Sequence, residues 1–167
     1  LGFFRTNADG HVTVHADGDP AHGLDLYQLA MDLQAQGVGL PLLLRFSDIL
    51  RDRLRKMGEN GYLCADVPDA YGGPGASVPF SFAVVEVLSR RGYGGFVGGL
   101  QVHNDIIPPY LLHCGTEAQR QYWLPRMASG EAIAAIGMTE PGAGSDLKAI
   151  RTTAKRDGDH YVINGSK

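Results

Sequence analysis

Residues Met138-Thr139-Glu140-Pro141-Gly142-Ala143-Gly144-Ser145-Asp146 concentrate more chemistry than any other stretch of this chain. Thr139 and Ser145 bring hydroxyls that both donate and accept hydrogen bonds. Gly142 and Gly144 can take φ > 0 and bring bare backbone close to a ligand, because no Cβ stands in the way. Pro141 forces the backbone out of any sheet. A loop of this composition suits an extended, flat, anionic cofactor held by backbone and hydroxyl groups. It follows an apolar run, Ala132-Ile133-Ala134-Ala135-Ile136-Gly137, that reads as a short buried strand delivering the loop to its ligand.

The elements that must position this loop can be read along the chain. Phe3–Thr6 and His11–His15 are two short predicted strands around Asn7-Ala8-Asp9-Gly10, where Asp-Gly is a strong hairpin turn. Leu24–Gln36 has Leu26, Leu29, Ala30 and Leu33 at amphipathic helical spacing, and Gly37 and Gly39 stop it. Leu40-Pro41-Leu42-Leu43-Leu44-Arg45-Phe46 reads as a buried strand. Ser47 is the expected N-cap of one continuous helix to Asn60, with Leu50, Leu54 and Met57 on its apolar face. From Tyr62 to Gly130 the pattern is mostly helical. Pro79–Arg91 places Phe82, Val85 and Leu88 on one side, a glycine-rich helix and Asn104–His113 follow, and Thr116-x-x-Gln119 fits a capping box. At Glu131 the period changes to strand, and Ile150–Arg156 and His160–Ile163 flank an Asp157-Gly158-Asp159 turn. The fold class that results is mainly α with small β parts.

Composition narrows the function. The chain of 167 residues carries 15 Lys+Arg against 18 Asp+Glu, a net charge of −3, which points to neither nucleic acid nor an anionic membrane as partner. No apolar run reaches the roughly 18 residues of a membrane span. The start, Leu1-Gly2-Phe3-Phe4-Arg5, has no charged n-region, so it is not a signal peptide, and the expected location is cytoplasmic. Cys64 and Cys114 are expected as reduced, mostly buried thiols. His11 and His15 share a strand face, which is expected to be solvated because two histidines alone make a poor metal site. His103, His113 and Cys114 are too scattered to argue for zinc, so no metal is expected. Arg51, Arg53, Arg55 and Lys56 read as an exposed helix face, as does Glu86. Gly-x-Gly-Gly within Gly92–Gly99 follows a helix instead of a strand, which disfavours a dinucleotide fingerprint and favours close helix packing.

The nine residues from Met138 to Asp146 resemble the flavin-binding signature of the acyl-CoA dehydrogenases. Gly61-Tyr62-Leu63, Val67-Pro68, Tyr71-Gly72-Gly73, Tyr110, Gly115-Thr116-Glu117, Gln119 and Leu124-Pro125 occur in that family's order and spacing. Ser129-Gly130-Glu131 and Asp159-His160-Tyr161-Val162-Ile163-Asn164-Gly165-Ser166-Lys167 bracket the signature. Residues 1 to about 54 resemble another family. Gly10-His11-Val12, Asp19-Pro20, Asp25-Leu26, Gly39-Leu40-Pro41 and Leu44-Arg45-Phe46-Ser47-Asp48-Ile49-Leu50 are similar to the amino terminus of the biosynthetic arginine decarboxylases, which use pyridoxal phosphate. Leu42–Phe46 would be an early barrel strand there, and no residue in this chain matches the family's Schiff-base lysine. The division that follows is 1–54 decarboxylase-like, 55–130 the acyl-CoA dehydrogenase helical domain, and 131–167 the start of its middle β domain. Two partial pieces meeting inside one helix describe a chimera.

The larger resemblance implies flavin-dependent α,β-desaturation of an acyl-CoA, with FAD as cofactor and a homo-oligomer as the full-length assembly. It implies that Met138 and Thr139 face the flavin pyrimidine edge. Ile136 to Ser145, Gly144 included, would form the flavin-binding stretch, and Ser145 would also face the acyl-CoA. Glu140 lies inside the signature, yet the family's base belongs to a later part of the protein, so a turn-positioning role is expected for it. The family's base, remaining β domain and carboxyl-terminal helices would all follow Lys167. The chain alone is therefore expected to lack turnover. A decarboxylase fragment or a catalytically silent hybrid helical protein are the alternatives.

Overall fold

The computed structural model describes residues 2–167; Leu1, part of the start considered above, lies outside the described residues. The amino-terminal piece is a three-stranded antiparallel sheet, β1 (Phe4–Thr6), β2 (Val12–Val14) and β3 (Leu24–Asp25), with Phe4 opposite Val14 and Val14 opposite Leu24. Gly10 closes the first hairpin at φ +81°, and Asn7 Oδ1 accepts the Asp9 and His11 amides. Helix α1 (Leu26–Ala35) starts where the Asp25 carboxylate accepts the Tyr27 and Gln28 amides, which no helical carbonyl could satisfy. None of its residues is buried.

Two expectations for this piece fail. His11 and His15 do not form a solvated face: His15 is 5% exposed, with Nε2 3.0 Å from Thr13 Oγ1 and Nδ1 2.9 Å from the Asp19 carbonyl. His11 is half-buried against Asp25, 2.8 Å away. Residues 40–46 form no strand, and Leu43 is 80% exposed. They have no ladder partner among the described residues, and an apolar run becomes a strand only where a neighbour takes its amides and carbonyls.

Helix α2 (Ser47–Glu59) runs without a break through residues 51–57. Ser47 is its first helical residue and not its cap; Phe46 holds the cap position without a side-chain hydrogen bond. Arg51 pairs with Asp48, Arg55 with Asp52 and Glu59, and Lys56 with Asp52, all near the surface. The helix ends as expected: Asn60 Nδ2 donates to the Lys56 carbonyl, Gly61 turns at φ +71°, and the Tyr62 amide reaches back to Met57 O at 2.9 Å. Gly58 sits against the end of the last helix, where a Cβ would collide with the Ser129 and Ala128 carbonyls.

The helical body comprises α3 (Val78–Arg90), α4 (Gly94–Gln101), α5 (Ile107–Cys114) and α6 (Glu117–Ala128). Its core joins Cys64, Val67, Leu124, Met127 and Ala128, with Tyr71, Ile107, Leu111 and Leu112 packed on it. The Thr116–Gln119 capping box forms in both directions, at 3.3 and 2.8 Å. Phe82 of α3 is 64% exposed, and Glu86 on the same helix pairs with Arg90 at 2.6 Å. A π-helical turn, Val102–Ile106, separates α4 from α5 and turns His103 and Asn104 inward. Cys64 is buried, whereas Cys114, also expected inside, is exposed at the end of α5. Last comes an antiparallel hairpin, β4 (Thr153–Asp157) and β5 (His160–Asn164), turning at Gly158 with φ +62°. The architecture is the expected one, mainly α with few strands. No described helix is long and apolar enough to cross a membrane.

Candidate functional site

The site begins where the chain leaves α6. The Ala132 amide donates to Arg126 O at 3.0 Å and the Ala134 amide to His103 Nδ1 at 3.1 Å. Side chains 132, 134 and 136 are half-buried while 133 and 135 are exposed, the alternation of a strand. It is not the buried strand expected at 132–137, because among the described residues nothing pairs with it. The backbone amides of residues 135–139 have no protein acceptor among the described residues. They are free to donate to a ligand.

Glu140 and Ala143 then exchange two backbone hydrogen bonds, 2.8 and 3.1 Å, across a tight turn through Pro141 and Gly142. Thr139 and Gly144 flank this turn on its two arms. Neither Gly142 nor Gly144 takes φ > 0; each instead leaves open space where a Cβ would stand. Glycine's use here is clearance, not a left-handed backbone.

Glu140 is 9% exposed and fully engaged. Its carboxylate accepts the Arg151 amide at 2.7 Å, the Thr152 amide at 3.1 Å and the Lys167 ammonium at 3.0 Å. The Arg151 amide first, then Thr152 and Lys167, hold this carboxyl down to about 2 from its ordinary 4.5. A carboxylate so held positions a turn and takes no proton at neutral pH. Lys167 Nζ also reaches the Met138 carbonyl at 3.4 Å, tying β5's end to the loop.

Of the residues singled out in the sequence, Ile136 is half-buried and Met138, Thr139, Gly144 and Ser145 are exposed. All five lie along one surface run around the Glu140 turn. Ile136 also lines an apolar groove of about 440 Å³ with Leu50, Leu54, Phe96, Gly99 and His103. A smaller, more polar cleft of about 310 Å³ lies behind the turn among Glu140, Gly142, Arg151, Thr152 and Ser166. Among the described residues no group of three or more His, Cys, Asp or Glu side chains could hold a metal ion.

Residues 44–131 match the model of the acyl-CoA dehydrogenase N-terminal domain, and residues 135–167 match that of the acyl-CoA dehydrogenase middle domain. The first match alone spans more than half of the chain. The chain belongs to the acyl-CoA dehydrogenase family. The mitochondrial long-chain specific acyl-CoA dehydrogenase of Sus scrofa is 40% identical over 121 residues, covering 72% of this chain and 27% of that protein. The structure of acyl-CoA dehydrogenase from Geobacillus kaustophilus superposes with a TM-score of 0.64 at 45% identity, covering 83% of this chain and 33% of that one. An acyl-CoA dehydrogenase from Bacillus anthracis, complexed with FAD, superposes at 0.63 with 40% identity, covering 71% and 21%. The chain thus spans between about a fifth and a third of the length of these relatives.

In this acyl-CoA dehydrogenase chain the contacts of Lys167 and His103 with the loop, and of Asn104 with the 62–64 turn, escape a reading by motif. Lys167 is 27 residues from Glu140, so only the hairpin's fold reveals the pair. His103 belongs to no metal-ligand spacing; its ring bonds the Met127 carbonyl and the Ala134 amide, with the Cys64 sulfur 3.7 Å from Nε2. Asn104 beside it accepts the Cys64 amide at 3.0 Å and donates to the Tyr62 carbonyl at 2.9 Å, holding the turn in which Cys64 takes φ +48°. The Cys64 thiol is pushed up to about 12 by burial and by the carboxylates of Asp66 and Asp105. At neutral pH it is an inert thiol.

Proposed function

We propose that residues 131–167 contribute a flavin-contacting stretch, with Ile136, Met138, Thr139, Gly144 and Ser145 touching FAD and Ser145 also facing the acyl-CoA. The activity to which this surface contributes is α,β-desaturation of an acyl-CoA thioester, for which FAD, when bound, supplies the hydride acceptor. The observation that carries this reading is the loop: amides at 135–139 without a protein acceptor among the described residues, exposed Thr139 and Ser145, and open space over Gly142 and Gly144, all within one short stretch around a fixed turn. A flat, anionic ring system needs this combination of donors and clearance. Glu140 keeps the two arms of the loop at a fixed separation and takes no part in proton transfer. The groove beyond Ile136 is apolar and of a volume suited to an acyl chain.

We divide the chain at the same places as above, 55–130 as the helical domain and 131–167 as the start of the β domain, and residues 1–54 enter this function only where Leu50 and Leu54 line the groove. No base is assigned within residues 2–167, so the expected turnover of the chain is nil. The test is FAD titration by flavin fluorescence, using Thr139→Ala/Ser145→Ala as control. Binding is expected with a dissociation constant weaker than roughly 10 μM, under about 7 kcal/mol, and weaker still in the double variant. An affinity untouched by both substitutions would remove the loop from the flavin site.

A further inference from the structure

We infer that His103 is a positioning residue for the flavin-binding stretch, holding residues 134–139 in place through the Ala134 amide; this rests on the flavin reading above. The ring is 1% exposed. A backbone N–H can only donate and a carbonyl can only accept, so the two backbone groups at the ring nitrogens fix its chemistry; the Cys64 sulfur, 3.7 Å from Nε2, is a weak acceptor compatible with a proton there. The Ala134 amide, 3.1 Å from Nδ1, requires a lone pair there. The Met127 carbonyl, 3.1 Å from Nε2, requires the proton there. His103 is thereby neutral, in its Nε2–H tautomer. Burial drives its pKa in the same direction, below the ordinary 6.5.

The ring thus bonds two backbone segments at once. Met127 belongs to α6 and the helical core, whereas Ala134 begins the exposed stretch. Beyond Ala134 no backbone amide is held by protein, among the described residues, until Glu140, where the second anchor lies. The stretch that carries Ile136, Met138 and Thr139 is therefore held by the imidazole at one end and by the Glu140 carboxylate at the other, with Lys167 reaching the Met138 carbonyl between them at 3.4 Å. The Ala132–Arg126 bond lies upstream and leaves the direction of the chain past Ala134 open. The π turn at 102–106 is what directs the ring inward, with Asn104 beside it serving the 62–64 turn in the same manner.

Two near-isosteric substitutions separate the two bonds. In His103→Asn the amide oxygen takes the place of Nδ1, keeping the Ala134 acceptor and losing the Met127 donor. In His103→Gln the amide nitrogen takes the place of Nε2, keeping Met127 and losing Ala134. Each loses one buried hydrogen bond, so a merely structural ring predicts equal damage. Measured on the full chain, Ala134 amide exchange should stay within about threefold of wild type in the Asn variant and rise on the order of tenfold in the Gln variant. FAD affinity should follow the same order. Equal exchange in the two variants would overturn the proposal. In the wild type, ¹⁵N shifts of the ring should show Nε2–H, and an Nδ1–H ring would overturn it even if neither variant folds. A split in Ala134 exchange without detectable FAD binding would remove the flavin reading and leave His103's hold on the segment standing.

Discussion

The helical body and the carboxyl-terminal arm are ordered by opposite means. The body buries Leu63, Val67, Leu124 and Met127 and adds polar ties inside that core. In the arm every residue of β4 and β5 is exposed, and its ties to the loop centre on one carboxylate, Glu140, with a longer contact from Lys167 to the Met138 carbonyl. The amino-terminal piece is a third case, with only Thr13, Val14 and His15 buried among its described residues and α1 burying nothing. Burial confers stability that is diffuse and shared; a carboxylate confers order that one substitution can remove. The loop proposed to meet the flavin lies where these two regimes join.

Leu124→Ala should test the body most severely. Leu124 is fully buried at the centre of the core, and the loss should be about 2–5 kcal/mol, read as a fall in the urea midpoint. A change under about 1 kcal/mol would mean that the body is not packed as described.

Gly58→Ala comes next. Helix propensity alone favours alanine by about 1 kcal/mol. The Ser129 carbonyl, however, occupies the space that the methyl group needs, and backbone cannot give way cheaply. The net effect should be destabilising by about 1–3 kcal/mol. A stabilised variant would show that α2 and the end of α6 do not touch.

Glu140→Gln should act on the arm alone. The urea midpoint should hardly move, while amide exchange at Arg151 and Thr152 should rise severalfold. A concerted loss of the body's protection would erase the distinction between the two regions.

Acid should separate them without mutation. His103 is held neutral with its pKa lowered, so its contribution is intact above the ordinary 6.5 and declines as pH falls below it. The groups facing or flanking it are the Cys64 thiol and, beyond, Asp66 and Asp105, of which Asp105 is itself raised by burial and by Asp66. Glu140, at about 2, keeps its contribution down to its ordinary 4.5 and loses it between 4.5 and 2. At pH 5, Ala134 exchange should already have risen while Arg151 and Thr152 remain protected. The reverse order would reassign the two anchors.

The smallest effect concerns the amino-terminal join. Exchange protection should run unbroken through residues 50–58 and fall off before Ser47, by hydrogen exchange with mass spectrometry. A sharp break at Arg53–Lys56 would make the two sides independent modules.

Much of this was legible in the sequence wherever the cause is local. The capping box at Thr116, the stop at Asn60-Gly61, α2 through the join and the Asp157-Gly158 hairpin each depend on residues a few positions apart. The apolar runs at 40–46 and 132–137 read as strands and are not, because strand formation depends on a distant partner that composition does not reveal. The loop's residues were legible as a motif, whereas its anchors were not. His103 and Ala134 are 31 positions apart, and Glu140 and Lys167 meet only when β4 and β5 fold back. His15 illustrates the same limit: strand parity gives the face but not whether that face is covered.

The unequal placement of the two cysteines gives the molecule an internal clock. Cys114 stands at the surface and Cys64 lies in the core with a thiol at about 12, so a thiol reagent added to the native protein should titrate one sulfur at once. The second sulfur can react only when the turn at residues 62–65 opens and frees it from the His103 ring. Its modification rate therefore counts excursions of the helical body out of its native state, in a chain that supplies its own reference thiol.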